Sequence, residues 1–312
     1  MKKRRRGRGC LVTVILLAIL AYGLFQVKGE SFTSITDFIK NDVFAIFDKP
    51  PVTLDNEIKS EHAVLINLKT GKVICKKSCD TKTYPASLTK IMTAILAIEN
   101  IPDLNDKIAV PENIYNTLQS EDASMAGFLP NENVKAMDLL YGTMLPSGAE
   151  AAESLAIHVS GSEDKFVQLM NGKAKELGMT NTHFTNAIGL HNSDHYTTAN
   201  DLAKLLRYAL KNDTFKEIFT SSKYSTSETD KHPNGITFSS TMFKSMSTAE
   251  FTGGDIIGGK TGYTDEAGLC LASLAEKSGK DYILITTGAP GNHETEQYDI
   301  TDALYIYNNY LP

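Results

Sequence analysis

Strand-like runs stand at the two ends of this sequence and helix-like runs fill its middle, and that order limits the fold more than any other feature. Near the start, His62-Ala-Val-Leu-Ile-Asn-Leu68, the turn-like Lys69-Thr-Gly-Lys72 and Val73-Ile-Cys75 read as a β-hairpin. Near the end come Asp255 to Lys260, Gly268 to Leu274 and Tyr282 to Thr287, all rich in apolar residues. Between them, Ile91, Ile95 and Ile98 predict a buried helix over Ser87–Asn100. Further helical patterns cover Val134–Leu145, Ala149–His158, Glu163–Leu177 and Asn200–Leu210, and an amphipathic helix is expected over Glu296–Tyr310. Strands at both ends must meet to pair, so the order predicts one antiparallel sheet closing around a helical insertion, an α+β arrangement. With 312 residues, 42% of them hydrophobic, the chain can bury such a core.

Ahead of the hairpin the composition changes twice. Lys2, Lys3, Arg4, Arg5, Arg6 and Arg8 crowd the first eight positions, and Leu11 to Val27 is an apolar run of 17 residues. That length is at the short end of the roughly 17–25 residues of a membrane span. A basic flank before an apolar run places the N-terminus in the cytoplasm and the rest outside. No small-x-small cleavage site follows, so the reading is a retained anchor rather than a removed signal peptide. The expected organisation is a cytoplasmic tail over 1–9, an anchor over 10–27, a stalk over 28–60 containing Lys49-Pro50-Pro51, and a folded domain over 61–312.

The net charge of -6 conceals a split. Setting aside the six N-terminal cations, Lys28 and Glu30 leaves 24 basic and 36 acidic residues from Ser31 onward. Such a surface repels phosphate backbones, which argues against a nucleic-acid partner. Cys75 and Cys79 are four apart and are candidates for a disulfide in an oxidising compartment. Neither paired zinc ligands nor a Cys-x-x-Cys is present, so no metal is expected.

Three short segments carry residues with chemical potential. In Pro85-Ala86-Ser87-Leu88-Thr89-Lys90, a spacing of three puts a hydroxyl and an amine on one helix face, one turn apart. A serine hydroxyl becomes a useful nucleophile when a neighbour takes its proton, and a lysine does so once desolvation depresses its pKa. Taken alone, the same residues also fit a helix-capping serine beside a solvated lysine. In Gly258-Gly259-Lys260-Thr261-Gly262-Tyr263, a cation and a hydroxyl at a strand edge suit a substrate carboxylate. The amides of Tyr263 and Ser87 could form an oxyanion hole there, whereas the bland alternative is a turn with an exposed lysine. Ser147, in Pro146-Ser147-Gly148-Ala149, is either a proton shuttle or the cap of the helix that follows, with Glu150 favourable to its dipole.

In combination, Ser87-x-x-Lys90, Ser147 and Lys260-Thr261-Gly262 resemble the motif set of the D-alanyl-D-alanine carboxypeptidases, the low-molecular-mass penicillin-binding proteins. Met144-Leu-Pro-Ser-Gly148, Gly259-Lys-Thr-Gly-Tyr-Thr-Asp265, Gly189-Leu-His191 and His195-Tyr-Thr-Thr-Ala199 are similar to that family too, over about residues 60–312. The resemblance implies a β-lactamase/transpeptidase-like fold, an antiparallel sheet flanked by helices with a helical subdomain. It implies removal of the terminal D-Ala from peptidoglycan stem pentapeptides through an acyl-enzyme on Ser87, with no cofactor. Lys90 and Ser147 would join Ser87 in catalysis, and Lys260, Thr261, Gly262 and Tyr263 would bind substrate. β-Lactams would acylate the same serine, and an accessory role in glycopeptide (vancomycin) resistance would use the same chemistry.

Two departures stand out. The family usually carries Asn where this chain has Ala149, which removes an amide that would hold substrate and lysine. Only 50 residues follow Gly262, too few for the extra β-rich domain and amphipathic tail of many members, which leaves the N-terminal span as the expected anchor. Alternatives are a β-lactamase, for which no deacylating Glu loop is recognisable, and a non-catalytic peptidoglycan-binding module. A histidine triad through His191 or His195 lacks partners in the sequence, and Arg207 reads as structural.

Overall fold

The computed structural model describes residues 50–312. The expected cytoplasmic tail and anchor, and all but the end of the expected stalk, lie outside them. No helix among the described residues is long and apolar enough to cross a membrane.

In chain order the strands are β1 (Val52–Thr53), β2 (His62–Asn67), β3 (Val73–Lys77), β4 (Lys107–Ala109), β5 (Asn133–Lys135), β6 (Lys223–Ser225), β7 (Thr237–Ser239), β8 (Glu250–Phe251), β9 (Gly254–Thr264), β10 (Gly268–Lys277) and β11 (Lys280–Ala289). The α-helices are α1 (Lys90–Asn100), α2 (Tyr115–Ser120), α3 (Ala136–Met144), α4 (Ala149–Ser160), α5 (Glu163–Glu176), α6 (Ala199–Ala209), α7 (Asp213–Thr220), α8 (Thr241–Ser245) and α9 (Tyr298–Tyr310). Seven strands form the main sheet in the order β1-β3-β2-β11-β10-β9-β8. The first hairpin thus pairs with the last, Val64 opposite Ile285, and the helical middle is an excursion between them.

Both faces of this sheet are covered, which is why its strands are nearly continuous apolar runs. Along β2, Val64 and Ile66 point into a core shared with α1, α3, α4 and α6, while Ala63 and Leu65 point into a core closed by α9. The same alternation runs along β11, with Ile283 and Ile285 on one side and Tyr282 and Leu284 on the other. In α1, Lys90 to Ala97 is buried without interruption, as a helix wrapped on all sides must be.

Four expectations need correction. The sheet is antiparallel except at its edge, where β1 runs parallel to β3. The folded part also starts about ten residues before Glu61. Leu54 and Ile58 insert beneath α9, and the Asp302 carboxylate accepts hydrogen bonds from the amides of Lys59 (3.0 Å) and Ser60 (2.6 Å) and from the Ser60 hydroxyl (2.6 Å). The Pro-Pro pair hid this, because the segment is held by a partner about 240 residues away. Val134 belongs to β5, paired with Ile108, and α3 begins only at Ala136. Finally, Cys75 and Cys79 are free thiols, one in each of the two opposed cores, so their short separation in sequence does not bring them together.

Asp302→Ala should strip three hydrogen bonds from the start of the fold and leave buried amides unpaired, lowering unfolding stability by about 2–4 kcal/mol. Urea titration followed by circular dichroism measures the change.

Candidate active site

Lys90 opens α1 and is 3% exposed, and Ser87 stands one turn earlier in a short 3₁₀ turn, Ala86–Thr89. Their side chains meet, Lys90 Nζ to Ser87 Oγ 3.0 Å. The amine also donates to the Ile188 carbonyl at 2.9 Å. Among the described residues no carboxylate forms an ion pair with it, and burial lowers its pKa to about 7 against the weaker opposing influence of Glu150. The capping alternative fails here, because Lys90 is not solvated and the turn shows no side-chain cap.

Lys260 comes from β9 on the opposite wall and is fully buried. It donates to Ser147 Oγ at 2.9 Å and to the Thr261 carbonyl at 2.7 Å. Burial and then the neighbouring charge of Lys90 hold its pKa well below the ordinary lysine range. Ser147 does not cap α4; it sits at φ 65°, a left-handed conformation rare outside glycine, which turns its hydroxyl toward Lys260. Two buried amines and two hydroxyls therefore face one another across the cleft, with Lys90 serving Ser87 and Lys260 serving Ser147.

The approach of β9 to this turn is close. A Cβ on Gly262 would lie 3.0 Å from the Ser87 nitrogen and 3.2 Å from that of Leu88, so only glycine lets the strand edge run along the start of the helix. That places the backbone of Gly262 beside the Ser87 amide. Upstream in β9, a Cβ on Gly259 would meet Met242 Sδ at 2.2 Å, and one on Gly258 the Phe219 carbonyl at 2.6 Å. The glycine pair thus lets α7 and α8 lie against the strand.

A second loop fixes the lysine from behind. Asn186 Oδ1 accepts from the amides of Ile188, Gly189 and Leu190 at 3.2, 2.7 and 3.1 Å, folding the segment that presents the Ile188 carbonyl. His195 is 2% exposed, its Nε2 2.8 Å from Thr89 Oγ1 and its Nδ1 accepting from the Thr185 amide at 3.0 Å. Burial lowers its pKa to about 3, so it stays neutral and braces the turn that carries Ser87. His191 packs edge-on against Tyr84 at the rim, its Nδ1 3.6 Å from Glu266. Arg207 is remote and structural, donating to the carbonyls of Leu68 (3.0 Å) and Lys69 (3.1 Å).

Glu150 does more than favour a helix dipole. Its buried carboxylate accepts from the amides of Ala126 (3.1 Å), Gly127 (2.7 Å) and Phe128 (3.1 Å). The loop so held brings Ser124 to the cleft, where its carbonyl accepts from the Ala149 amide at 2.7 Å. Ala149 is buried and lines a cavity of about 410 Å³ with Ser87, Lys90 and His191. A smaller cavity of about 180 Å³ lies on the other side of Ser87, against Thr261, Thr241, Lys244 and Asp299. Thr241 and Thr261 face each other there, Oγ1 to Oγ1 2.6 Å. Ser124, Thr241, Lys244 and Asp299 belong to no local motif and were not found by sequence reasoning; only packing brings them to the cleft.

A sheet covered by helices on both faces, with a serine and lysine in contact between sheet and helical part, is the arrangement of the transpeptidase-like fold. Its relatives are specific. Residues 48–291 match the peptidase S11 family model, described as D-alanyl-D-alanine carboxypeptidase, and the chain belongs to that family. It is 36% identical over 245 residues to D-alanyl-D-alanine carboxypeptidase DacF of Bacillus subtilis (strain 168), covering 76% of this chain and 58% of the relative. It is 33% identical over 236 residues to the D-alanyl-D-alanine carboxypeptidase of Streptomyces sp. (strain K15), covering 72% and 80%. The chain thus spans little more than half the length of the Bacillus relative. The crystal structure of the Streptomyces K15 DD-transpeptidase superposes with a TM-score of 0.72 at 29% identity, over 82% of this chain and 98% of that one.

Gly189 tests the arrangement. It has φ +88°, and a Cβ there would fall 2.0 Å from the Ala86 carbonyl, directly behind Ser87. Gly189→Ala should cost about 1–3 kcal/mol in backbone strain and displace Ser87 enough to slow its acylation about a hundredfold. Thermal unfolding and the rate of labelling by a fluorescent penicillin measure the two effects.

Proposed function

We propose that this chain is a serine-type D-alanyl-D-alanine carboxypeptidase that removes the terminal D-Ala from peptidoglycan stem pentapeptides. The observation that carries the reading is the 3.0 Å contact between Ser87 Oγ and a buried Lys90 whose pKa is lowered to about 7. A lysine so placed is partly neutral at physiological pH and accepts the hydroxyl proton as Oγ attacks the penultimate carbonyl. The amides of Ser87 and Tyr263 take the developing oxyanion. Lys90 gives that proton up through the Ser147–Lys260 pair to the leaving amine of D-Ala, and the C–N bond breaks to leave an ester on Ser87 with Lys90 neutral again. Water then attacks that ester, with Lys90 again as base, freeing the shortened peptide.

Thr261 and Gly262 at the strand edge, with Tyr263 beyond them, hold the substrate against Ser87. Lys260 acts through Ser147 and the local potential rather than by clasping a carboxylate, since its amine is already committed to Ser147 and the Thr261 carbonyl. The family's amide is absent at Ala149, and Ser124 lines the same cavity beside it. β-Lactams acylate Ser87 by the same attack. The basic flank and Leu11–Val27 support attachment to a membrane with the catalytic part outside, through a stalk that ends near residue 50.

Incubating the full chain in detergent with a fluorescent penicillin, and separately with a peptide ending in D-Ala-D-Ala, tests the function. Labelling and D-Ala release are expected, and Ser87→Ala should abolish the first and reduce the second by at least about a thousandfold. Label or release that survives Ser87→Ala sinks the assignment. Acylation should also accelerate as pH rises through about 7, because Lys90 must lose its proton to act as base. A rate that falls over that range would remove Lys90 from the role.

A further inference from the structure

Asp299, in the first turn of α9, lines the smaller cavity together with Ser87, Thr261 and Thr241. It is 1% exposed, and its Oδ1 is buried without a hydrogen-bond partner. A buried carboxylate oxygen with nothing to bond is costly unless the group is neutral or something enters to meet it. Nothing in the proposed chemistry uses it.

The surroundings define what would enter. Asp302 adds negative charge from the same helix, Cys270 faces Asp299 from β10, and Tyr263 and His293 form an edge-on pair at the cavity wall. Lys244 of α8 is exposed at the rim. Burial pushes the Asp299 carboxyl up to about 7 against the opposing backbone hydrogen bonds of Ile300 and of Asp299 itself, with the charge of Asp302 a smaller push in the same direction as burial. A free peptide carboxylate entering this cavity would sit in one small space with a second carboxyl, and two such groups ionise together only at a penalty. The stable arrangement is one shared proton, with the Asp299 hydroxyl donating to the substrate carboxylate.

We infer that Asp299 is a specificity-determining residue at the leaving-group end of the cleft, which accepts a peptide's terminal carboxylate only while Asp299 itself carries a proton. The inference rests on the reading of Ser87 as the acylated serine. Binding of a free-acid peptide is then coupled to uptake of one proton once Asp299 is ionised. A peptide ending in a carboxamide has no charge to repel and donates to the ionised Asp299 instead.

The test compares kcat and KM from pH 6 to pH 9 for two peptides identical except for a terminal D-Ala carboxylate or carboxamide, with the full chain and with Asp299→Asn. For the free acid, KM should climb by up to about tenfold per pH unit above about 7. For the carboxamide it should stay level, while kcat of both follows Lys90. In Asp299→Asn the climb should vanish and the kcat profile persist, with thermal unfolding confirming that the variant folds. Equal KM profiles for the two peptides, or a climb that survives Asp299→Asn, would overturn the inference while leaving Ser87 in place. Failure to release D-Ala or D-Ala amide at any pH, joined to failure of penicillin to label Ser87, would overturn the catalytic reading and this one with it.

Discussion

Two lysine side chains are buried within reach of two serine hydroxyls, and the rest of the structure depends on keeping them there. An ammonium taken out of water loses its proton more readily, and burial lowers the Lys90 pKa to about 7. The cost falls on the fold. It is met by carbonyls and hydroxyls aimed at each amine, Ile188 and Ser87 for one, Thr261 and Ser147 for the other. After burial, the charge of Lys90 further disfavours a proton on Lys260, so the protonated form of Lys260 is held back by both.

Keeping the amines dry requires three elements to converge. The Ser87 turn comes from just before α1, Ser147 from a left-handed turn before α4, and Lys260 from β9. The loop over Asn186 to Leu190 closes the back, and neutral His195 ties it to Thr89. Ala86 and Ser147, the residues that aim the two hydroxyl-bearing segments, both adopt left-handed backbone conformations. Strain of this kind persists only where surrounding packing over-determines it, as the close contact of Gly189 with the Ala86 carbonyl does here.

The two sides of Ser87 differ in character. One side is a wider cavity whose wall carries Ala149 where relatives usually present an amide. The other is a smaller cavity of hydroxyls with a lysine at its rim and a buried acid on its wall. The wider cavity thus carries the departure at Ala149, while the smaller one carries the unpaired acid Asp299.

Much of this was legible in the sequence because the signals are local. Strand alternation, the apolar spacing of α1 and the three motifs depend on residues close together in the chain. That strands from both ends share one sheet followed as well, though not the order in which they lie across it. What tertiary structure alone decided are the long-range placements. Val52 to Ser60 joined the fold through Asp302, Glu150 turned from a helix-end charge into the anchor of the Ala126–Phe128 loop, and His195 became a brace rather than a base. Which lysine would be dry, and which acid would lie unpaired against the cleft, depends on burial by residues from every part of the chain, and no local pattern encodes that. The sequence by itself determined the Ser87–Lys90 pair and the sheet; only the packed fold set their protonation and brought Asp299 beside them, because desolvation is a property of the whole core.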